Sequence, residues 1–109
     1  MFARITECTL KSDKINDFTR AMNDEVRPIL QEQAGFVEEI TLVSDVNPGQ
    51  AIVLTFWNSK EDAERYERQM YPHILNSLQA LLTGTPTVNK ANVASSTSQK
   101  IGGRKEAVA

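Results

Sequence analysis

Residues that bind metals or form disulfides are scarce in this sequence. Among its 109 residues there is one cysteine, Cys8, and one histidine, His73. A single cysteine excludes an internal disulfide framework and suits a reducing compartment, so we expect a cytoplasmic location. Because so few thiol and imidazole ligands are available, we also expect no metal site within one chain.

The chain also lacks an excess of positive charge and any long apolar run. Its 12 Lys and Arg residues face 14 Asp and Glu residues, which gives a formal net charge of -2. Such a chain has no basic field to bind phosphates, so nucleic acid is not an expected partner. The first residues, MFARITECTLK, lack the pattern of a signal peptide, and the apolar runs are too short to cross a bilayer. We therefore expect no membrane partner.

The pattern of apolar residues predicts six elements in the order βαββαβ. Alternation and β-branched residues predict strands over residues 2–8, 36–45, 51–57 and 85–93. Apolar spacings of three and four predict two helices, one through Ile15, Phe18, Met22, Val26 and Ile29, the other through Ala63, Tyr66, Met70, Ile74, Leu78 and Leu81. This order predicts a ferredoxin-like α+β domain, in which two helices cover one face of a four-stranded antiparallel sheet. We assign the domain to residues 1–93 and a polar C-terminal tail to residues 94–109.

A few residues indicate where these elements begin, bend or turn. Ser12 or Asp13 is expected to cap the first helix, and Ser59 opens a capping box before the second. Pro28 cannot donate a backbone hydrogen bond, so we expect a kink or a fresh last turn there. Residues 47–50, NPGQ, carry proline and glycine at the positions that a type II turn prefers.

The residues of the third strand, AIVLTFW, indicate that one face of the sheet needs a further cover. Its residues 51–57 are largely apolar on both sides, whereas two helices can cover only one face of the sheet. Large exposed apolar patches are avoided, so the other face needs a cover. A second copy of the chain supplies one, which predicts a homodimer through the sheet face. A bent sheet and the tail are the alternative cover.

Two stretches of the chain resemble a known family. EVRPILQEQAGFVEEITLVSD leads into the predicted hairpin and LTFWNSKEDAERYE follows it, and both are similar to antibiotic biosynthesis monooxygenase (ABM) domains of the dimeric α+β barrel superfamily. FWNSKEDAERY is the most specific part, and PILQEQAGF is the second. The resemblance covers roughly residues 1–93 and leaves out the tail.

The resemblance implies a small homodimer with one small-molecule pocket per subunit, between the helices and the sheet. Some ABM domains oxidise aromatic polyketides or quinols with molecular oxygen and no metal or flavin. Others degrade haem, and some act as sensors or accessory proteins. We therefore expect a small monooxygenase without a cofactor, and the alternative is a non-catalytic barrel that binds a small ligand or supports a partner.

Haem degradation is the least favoured of these activities. The haem-degrading members have an Asn on the first strand, where this sequence has Thr6 and Glu7. They have a Trp on the second helix, where Tyr66 stands here, and a downstream His ligand. His73 falls seven residues after Tyr66, earlier than that ligand, and Asn76 lies nearer to its position. A single neutral His can nevertheless serve as an axial haem ligand.

Candidate catalytic residues lie on the second predicted helix. Tyr66 and His73 are seven residues apart, nearly two helical turns, so both would face the sheet with Met70 between them. His73 could remove a proton from an aromatic substrate, and Tyr66 could hydrogen-bond the resulting oxyanion. Trp57, at the end of the third strand, could form an aromatic wall of the pocket.

Each of these residues also has a purely structural interpretation. Tyr66 can be a core residue whose hydroxyl reaches water, and Trp57 can belong to the core or to an interface. Pro72 can begin a new helix, which would turn His73 toward solvent. Tyr71, just before that proline, is expected to be a packing residue at the kink. In a catalytic barrel a cavity lies among these side chains, whereas in a non-catalytic one it is filled by Phe18, Met22 and Met70.

Two further polar residues lie on the first predicted strand. Arg4 can bind an anionic group or pair with Glu38 or Glu39 on a neighbouring strand, and the pairing is favoured because cross-strand ion pairs are common. Cys8 has no sequence sign of activation and no partners for a thiol nucleophile, so we expect an unreactive free thiol.

Overall fold

A four-stranded antiparallel sheet with helices on one face forms the described part of the chain, residues 1–101 of the computed structural model. The strands are β1 (Phe2–Thr9), β2 (Phe36–Val43), β3 (Gln50–Trp57) and β4 (Thr87–Asn92). Their order in the sheet is β2-β3-β1-β4, so β1 and β3 are the central strands. This arrangement confirms the α+β ferredoxin-like prediction.

The two predicted helices are both interrupted. The helical segments are α1 (Ile15–Ala21), α2 (Arg27–Gln31), α3 (Lys60–Gln69) and α4 (Tyr71–Leu78). A π-helical segment, Met22–Val26, joins α1 to α2, and a 3-10 turn, Gln79–Leu81, follows α4. Within residues 1–101 every helix is too short or too polar to cross a membrane.

Pro28 explains the first interruption. It lies at the start of α2, and just before it the N–H of Arg27 bonds to the carbonyl of Met22, five residues back. The wider turn keeps a carbonyl away from the proline ring, which would clash in a regular helix. The fresh helical segment expected at Pro28 is therefore confirmed.

Pro72 ends one helix and starts another. α3 stops at Gln69, and Met70 leaves helical geometry with φ −120°. α4 then begins at Tyr71 with Pro72 in its first turn, where the missing N–H has no partner to lose. The apolar stripe predicted from Ala63 to Leu81 packs on the core on both sides of this break, although the helix that carries it is divided.

Of the two N-terminal helix caps predicted from the sequence, the structure has one. Ser59 Oγ accepts a hydrogen bond from the Asp62 N–H at 3.1 Å, which confirms the capping box before α3. The cap predicted for α1 is wrong, because Lys14 holds that position and makes no side-chain cap bond. Asp13 instead adopts a left-handed conformation with φ 60°, which directs the chain into the helix.

The turn between β2 and β3 also differs from its prediction. The Gln50 N–H donates to the Asn47 carbonyl at 2.9 Å, as expected for a β-turn. A type II turn needs positive φ at Gly49, but the positive-φ glycines of residues 1–101 are Gly35 and Gly84. The type II assignment is therefore wrong.

The residues after β4 run back across the end of the sheet. The Val93 N–H donates to the Met1 carbonyl at 3.0 Å, beside β1. Lys100 Nζ then lies 3.7 Å from the Glu38 carboxylate on β2, and Ile101 is buried. Residues 94–101 of the predicted tail form no helix or strand, and its residues 102–109 lie outside the described part of the chain.

Candidate functional site

A cavity of about 40 Å³ lies between the helices and the sheet. Its lining comes from β1 and β3 on one side, from the helical segments on the other, and from the loop before β4: Arg4, Thr6, Cys8, Val53, Thr55, Phe18, Met22, Val26, Leu30, Tyr66, Tyr71, Ile74, Leu75, Leu78 and Pro86. A water molecule occupies roughly 30 Å³ of liquid, and pockets for drug-sized ligands reach about 300–1,000 Å³. The cavity therefore has room for water or a few ligand atoms, and an aromatic ligand requires it to open.

Strand alternation brings the polar part of this lining together. On β1 the side chains of Arg4, Thr6 and Cys8 point toward the helices and are buried. Thr55 lies opposite Arg4 on β3 and is also buried. The sheet side of the cavity is therefore unusually polar for a layer between helix and sheet, where apolar residues dominate.

An aromatic cluster supports one wall of the cavity. The ring of Tyr66 lines it and stacks on Trp57, with centroids 4.8 Å apart and planes at 29°. Trp57 is fully buried, meets Phe36 edge to face at 5.5 Å, and donates its indole N–H to Thr55 Oγ1 at 3.0 Å. Trp57 thus lies behind Tyr66 and fixes its position rather than facing the cavity itself.

Arg4 is the only charged side chain in the cavity lining that the structure describes. It is 2% exposed, and its Cζ lies 4.4 Å from the ring centroid of Tyr71 and 5.3 Å from that of Tyr66. The nearest paired carboxylate is Glu67, with Nη2 and Oε2 3.9 Å apart. The other oxygen of Glu67 accepts a hydrogen bond from Lys90 at 2.9 Å.

The charge of Arg4 is poorly compensated. Within residues 1–101, Nε and Nη2 are buried and have no hydrogen-bond partner. A cation over an aromatic face gains about 0.5–2 kcal/mol. Removing an ion from water costs several kcal/mol, which exceeds that gain unless hydrogen bonds are added. The two nitrogen atoms therefore need an acceptor from water or from a ligand.

The predicted cross-strand pair of Arg4 with Glu38 or Glu39 is wrong. β3 lies between β1 and β2, so neither carboxylate is adjacent to Arg4 in the sheet. Glu39 pairs instead with Arg27 at 3.4 Å, and Lys100 approaches Glu38. Glu38 and Glu39 therefore do not neutralise the charge of Arg4, whose side chain lines the cavity instead.

Ionisation in the cavity is governed by burial. Burial raises the pKa of Tyr66 to about 12, although the positive charge of Arg4 lowers it in part. Burial also raises the pKa of Tyr71, against the same charge. The Cys8 thiol is buried as well, and its pKa rises to about 11. At neutral pH these groups are uncharged, so the tyrosines can donate hydrogen bonds and the thiol is a poor nucleophile.

The structure brings only some of the predicted site residues together. Tyr66, Phe18 and Met22 line the cavity, and Trp57 packs directly behind it. Met70 packs on the core but lies outside the lining. The shared inward face of Tyr66 and His73 is wrong, because the chain turns at Met70 and leaves His73 exposed.

Sequence reasoning did not place Arg4 or Tyr71 in the cavity lining. The packing role expected for Tyr71 at the break before Pro72 is confirmed, and its ring lines the cavity as well. Arg4 was favoured as a cross-strand ion-pair residue. The signal for Arg4 was its position in the alternation of β1, which places a charged residue on the same face as buried neighbours. Tyr71 is brought to the cavity by the start of α4, a feature that depends on Pro72.

Within the described ranges, no three His, Cys, Asp or Glu side chains come together in a way that could hold a metal ion. Residues 1–73 match the protein family described as antibiotic biosynthesis monooxygenase.

The chain belongs to the ABM family. The resemblance identified from FWNSKEDAERY and PILQEQAGF is thereby confirmed. A sequence comparison with curated proteins gives no match.

Solved structures of similar shape accompany this ABM assignment. SnoaB, a cofactor-independent oxygenase from Streptomyces nogalater, is 15% identical with a TM-score of 0.73, over 85% of this chain and 92% of its own. A monooxygenase from Streptomyces coelicolor in complex with the ligand nanaomycin D is 14% identical with a TM-score of 0.71, over 83% and 84%. A protein of unknown function from Nitrosomonas europaea is 12% identical with a TM-score of 0.72, over 87% and 90%. At these identities the likeness concerns the fold of the ABM chain.

Proposed function

We propose that this ABM-family chain is a small monooxygenase that oxidises an aromatic or quinol-like compound with molecular oxygen. The observation that carries the proposal is the cavity between helices and sheet, which combines apolar walls with two neutral phenols and one guanidinium. Two proteins of the same fold support it, one described as a cofactor-independent oxygenase and one solved with nanaomycin D. The substrate itself supplies the electrons, so the proposal includes no cofactor.

The proposed reaction converts a ring CH₂ group and O₂ into a ring carbonyl and water. The carbon loses a proton to form a carbanion, whose negative charge is shared with a ring oxygen. The carbanion passes one electron to O₂, and the two radicals combine into a peroxide that takes up a proton. Loss of water across the C–H and O–O bonds then leaves the carbonyl. The substrate thereby provides all four electrons that reduce O₂, and one oxygen atom ends in the carbonyl and the other in water.

The role of the protein is to hold the substrate and stabilise its oxyanion. Tyr66 and Tyr71 can donate O–H hydrogen bonds to a ring oxygen, because their phenols stay neutral at physiological pH. No carboxylate or imidazole lies in the described lining, so the first proton passes to solvent water. The apolar walls from the helices exclude water from the carbanion afterwards.

Oxygen consumption with a panel of anthrones and naphthoquinols tests the proposal. We expect uptake with at least one compound, and a loss on the order of 10²-fold in Tyr66→Phe, which removes one hydrogen-bond donor and keeps the stack on Trp57. His73→Ala tests the role inferred from sequence, and we expect unchanged uptake because this side chain is exposed. Absence of uptake with every compound would contradict the monooxygenase proposal.

A non-catalytic barrel that binds a small ligand is the second candidate. The small volume of the cavity and the lack of a carboxylate or imidazole in its described lining favour it. In that case compounds from the panel would bind without oxygen uptake. The two candidates are therefore separated by measuring binding and oxygen consumption on the same compounds.

We also propose that the chain acts as a cytoplasmic homodimer. The face of the sheet turned away from the helices carries the partly exposed apolar side chains of Ile5, Ile40, Leu42, Ile52, Leu54 and Phe56, which we term the outer face. A second copy would remove these side chains from water. The single thiol Cys8 is consistent with a reducing compartment.

A further inference from the structure

The buried guanidinium of Arg4 is left without a function by the proposed chemistry. It lies at the centre of the sheet, on β1 between Thr55 of β3 and Lys90 of β4. Its side chain is 2% exposed, and its Nε and Nη2 reach no hydrogen-bond acceptor within residues 1–101. Its Cζ lies 5.3 Å from the ring centroid of Tyr66 and 4.4 Å from that of Tyr71, and the guanidinium favours the ionised form of both phenols.

Glu67 cannot fully take the role of the missing acceptor. Its closest approach, Oε2 to Nη2, is 3.9 Å, which is beyond hydrogen-bond distance. Its other oxygen is occupied by Lys90. Glu67 is also about one-third exposed, so water screens its charge. The cavity therefore keeps a net positive charge on its sheet side.

We propose that Arg4 binds an anionic oxygen of the ligand, so that the cavity selects aromatic compounds with an ionised oxygen substituent, a phenolate, enolate or carboxylate, over neutral ones. This inference rests on the proposed function, because it concerns the same cavity and names the class of compound that the cavity binds. Nε and Nη2 lie on one edge of a planar guanidinium, an arrangement that suits oxygen anions. The aromatic part of the ligand would then face the apolar helix side, near Phe18 and Met22.

The same contact assists the proposed oxidation. The ionised form of the substrate is the form that gives an electron to O₂. The positive charge of Arg4 favours that ionised form, and the neutral phenols of Tyr66 and Tyr71 can donate to the same oxygen. Arg4 thus compensates for the absence of a base from the described lining.

Benzoate and benzamide, two probes of nearly equal shape, test the charge preference. We expect calorimetry on the full-length protein at pH 7 to show benzoate binding at least about tenfold more tightly than benzamide, because charge-assisted hydrogen bonds exceed neutral ones. The single Trp57, stacked on Tyr66, gives an independent fluorescence readout of the same binding. Equal affinities, or no benzoate binding at millimolar concentration, would overturn the inference.

Three variants test whether Arg4 is the residue that causes the preference for benzoate over benzamide. Arg4→Gln should lose it, and Arg20→Gln should keep it, because Arg20 is an exposed residue on α1 and its substitution changes the net charge equally. Glu67→Gln should strengthen benzoate binding, because it removes the carboxylate nearest to Arg4. A benzoate preference that persists in a folded Arg4→Gln protein would refute the assignment. If Arg4→Gln does not fold, a Glu67→Gln protein with unchanged benzoate affinity refutes it instead.

Oxygen uptake separates this inference from the proposed function. Benzoate binding that depends on Arg4, without uptake from any anthrone or naphthoquinol, would retain the anion site and reject the oxidation. Uptake in a protein that does not distinguish benzoate from benzamide would retain the oxidation and reject the anion site.

Discussion

At the scale of single residues, the cavity holds one permanent charge among groups that remain neutral. The guanidinium of Arg4 faces two phenols whose pKa values are raised by burial, most clearly for Tyr66, where the pKa reaches about 12. Arg4 opposes the effect of burial but does not cancel it. The consequence is that these phenols act as hydrogen-bond donors across the physiological pH range and not as bases.

An alkaline titration tests this ionisation. The chain has two tyrosines, and burial raises the pKa of both, so we expect less tyrosinate absorbance near pH 10 than two free tyrosines give, and the Tyr66 signal only near pH 12. In the unfolded state tyrosine ionises near pH 10, so the native state retains its proton longer. The stabilisation is therefore complete below pH 10 and is lost as the pH rises toward 12.

Tyr71→Phe isolates the Tyr66 signal in that titration. The remaining phenol should titrate near pH 12 in the native protein and near pH 10 in concentrated urea. A native titration at the ordinary pH in this variant would show that Tyr66 is not buried as the structure describes.

At the scale of elements, the two prolines interrupt the helical layer above the cavity in different ways. Before Pro28 the helix widens into the π-helical segment Met22–Val26, and both end residues of that segment line the cavity. At Pro72 the helix stops and restarts, which brings Tyr71 to the same place. We expect the cavity to open at these breaks, because each lacks part of the regular backbone hydrogen bonding.

Gly35 gives a prediction at this scale, with Gly84 as its matched control. Both have positive φ, 81° and 77°, so alanine strains the backbone at either position by about 1–2 kcal/mol. At Gly35 an added Cβ would also overlap the carboxylate of Asp62 and lie 2.6 Å from its Cβ. At Gly84 nothing lies within 4 Å.

Urea denaturation measures the difference between the two variants. We expect Gly35→Ala to lower the free energy of unfolding by at least about 1–3 kcal/mol more than Gly84→Ala, since Asp62 is held in the cap of α3. Equal losses would indicate that Asp62 moves aside without cost.

The elements themselves could be predicted more fully than the site. Strand alternation and the Ser59 capping box are local patterns, so they indicated the sheet and the start of α3 correctly. For His73 the sequence left two alternatives open at Pro72, and the break at Met70 and the new helix after it leave the side chain exposed. The cavity position of Arg4 depends on strand order, because β3 separates it from Glu38 and Glu39.

At the scale of the whole molecule, the fold does not specify the activity. The same architecture is found, at 15% identity or below, in a cofactor-independent oxygenase and in a protein of unknown function. What distinguishes one such chain from another is the chemistry of its cavity and the surfaces through which it assembles. For this chain those features are Arg4 in the cavity and the apolar outer face of the sheet.

The outer face predicts the state of assembly. Leu54 lies at its centre, in register with Ile5 of β1 and Ile40 of β2, and Leu42 nearby is 47% exposed. Burying this surface against a second copy would contribute about 25 cal/mol for each Å² of apolar area removed from water. We therefore expect light scattering after size exclusion to give twice the chain mass of 12.2 kDa.

A charged substitution at the centre of that face should dissociate the dimer. Leu54→Glu places a carboxylate where the two sheets would meet, and burying an unpaired charge there is costly, so we expect a 12.2 kDa species. Gln69→Glu adds the same charge at an exposed position on α3 and should remain dimeric. A wild-type protein of 12.2 kDa at every concentration would instead favour residues 94–101, which pass from β4 toward Glu38, as part of the cover of a monomer.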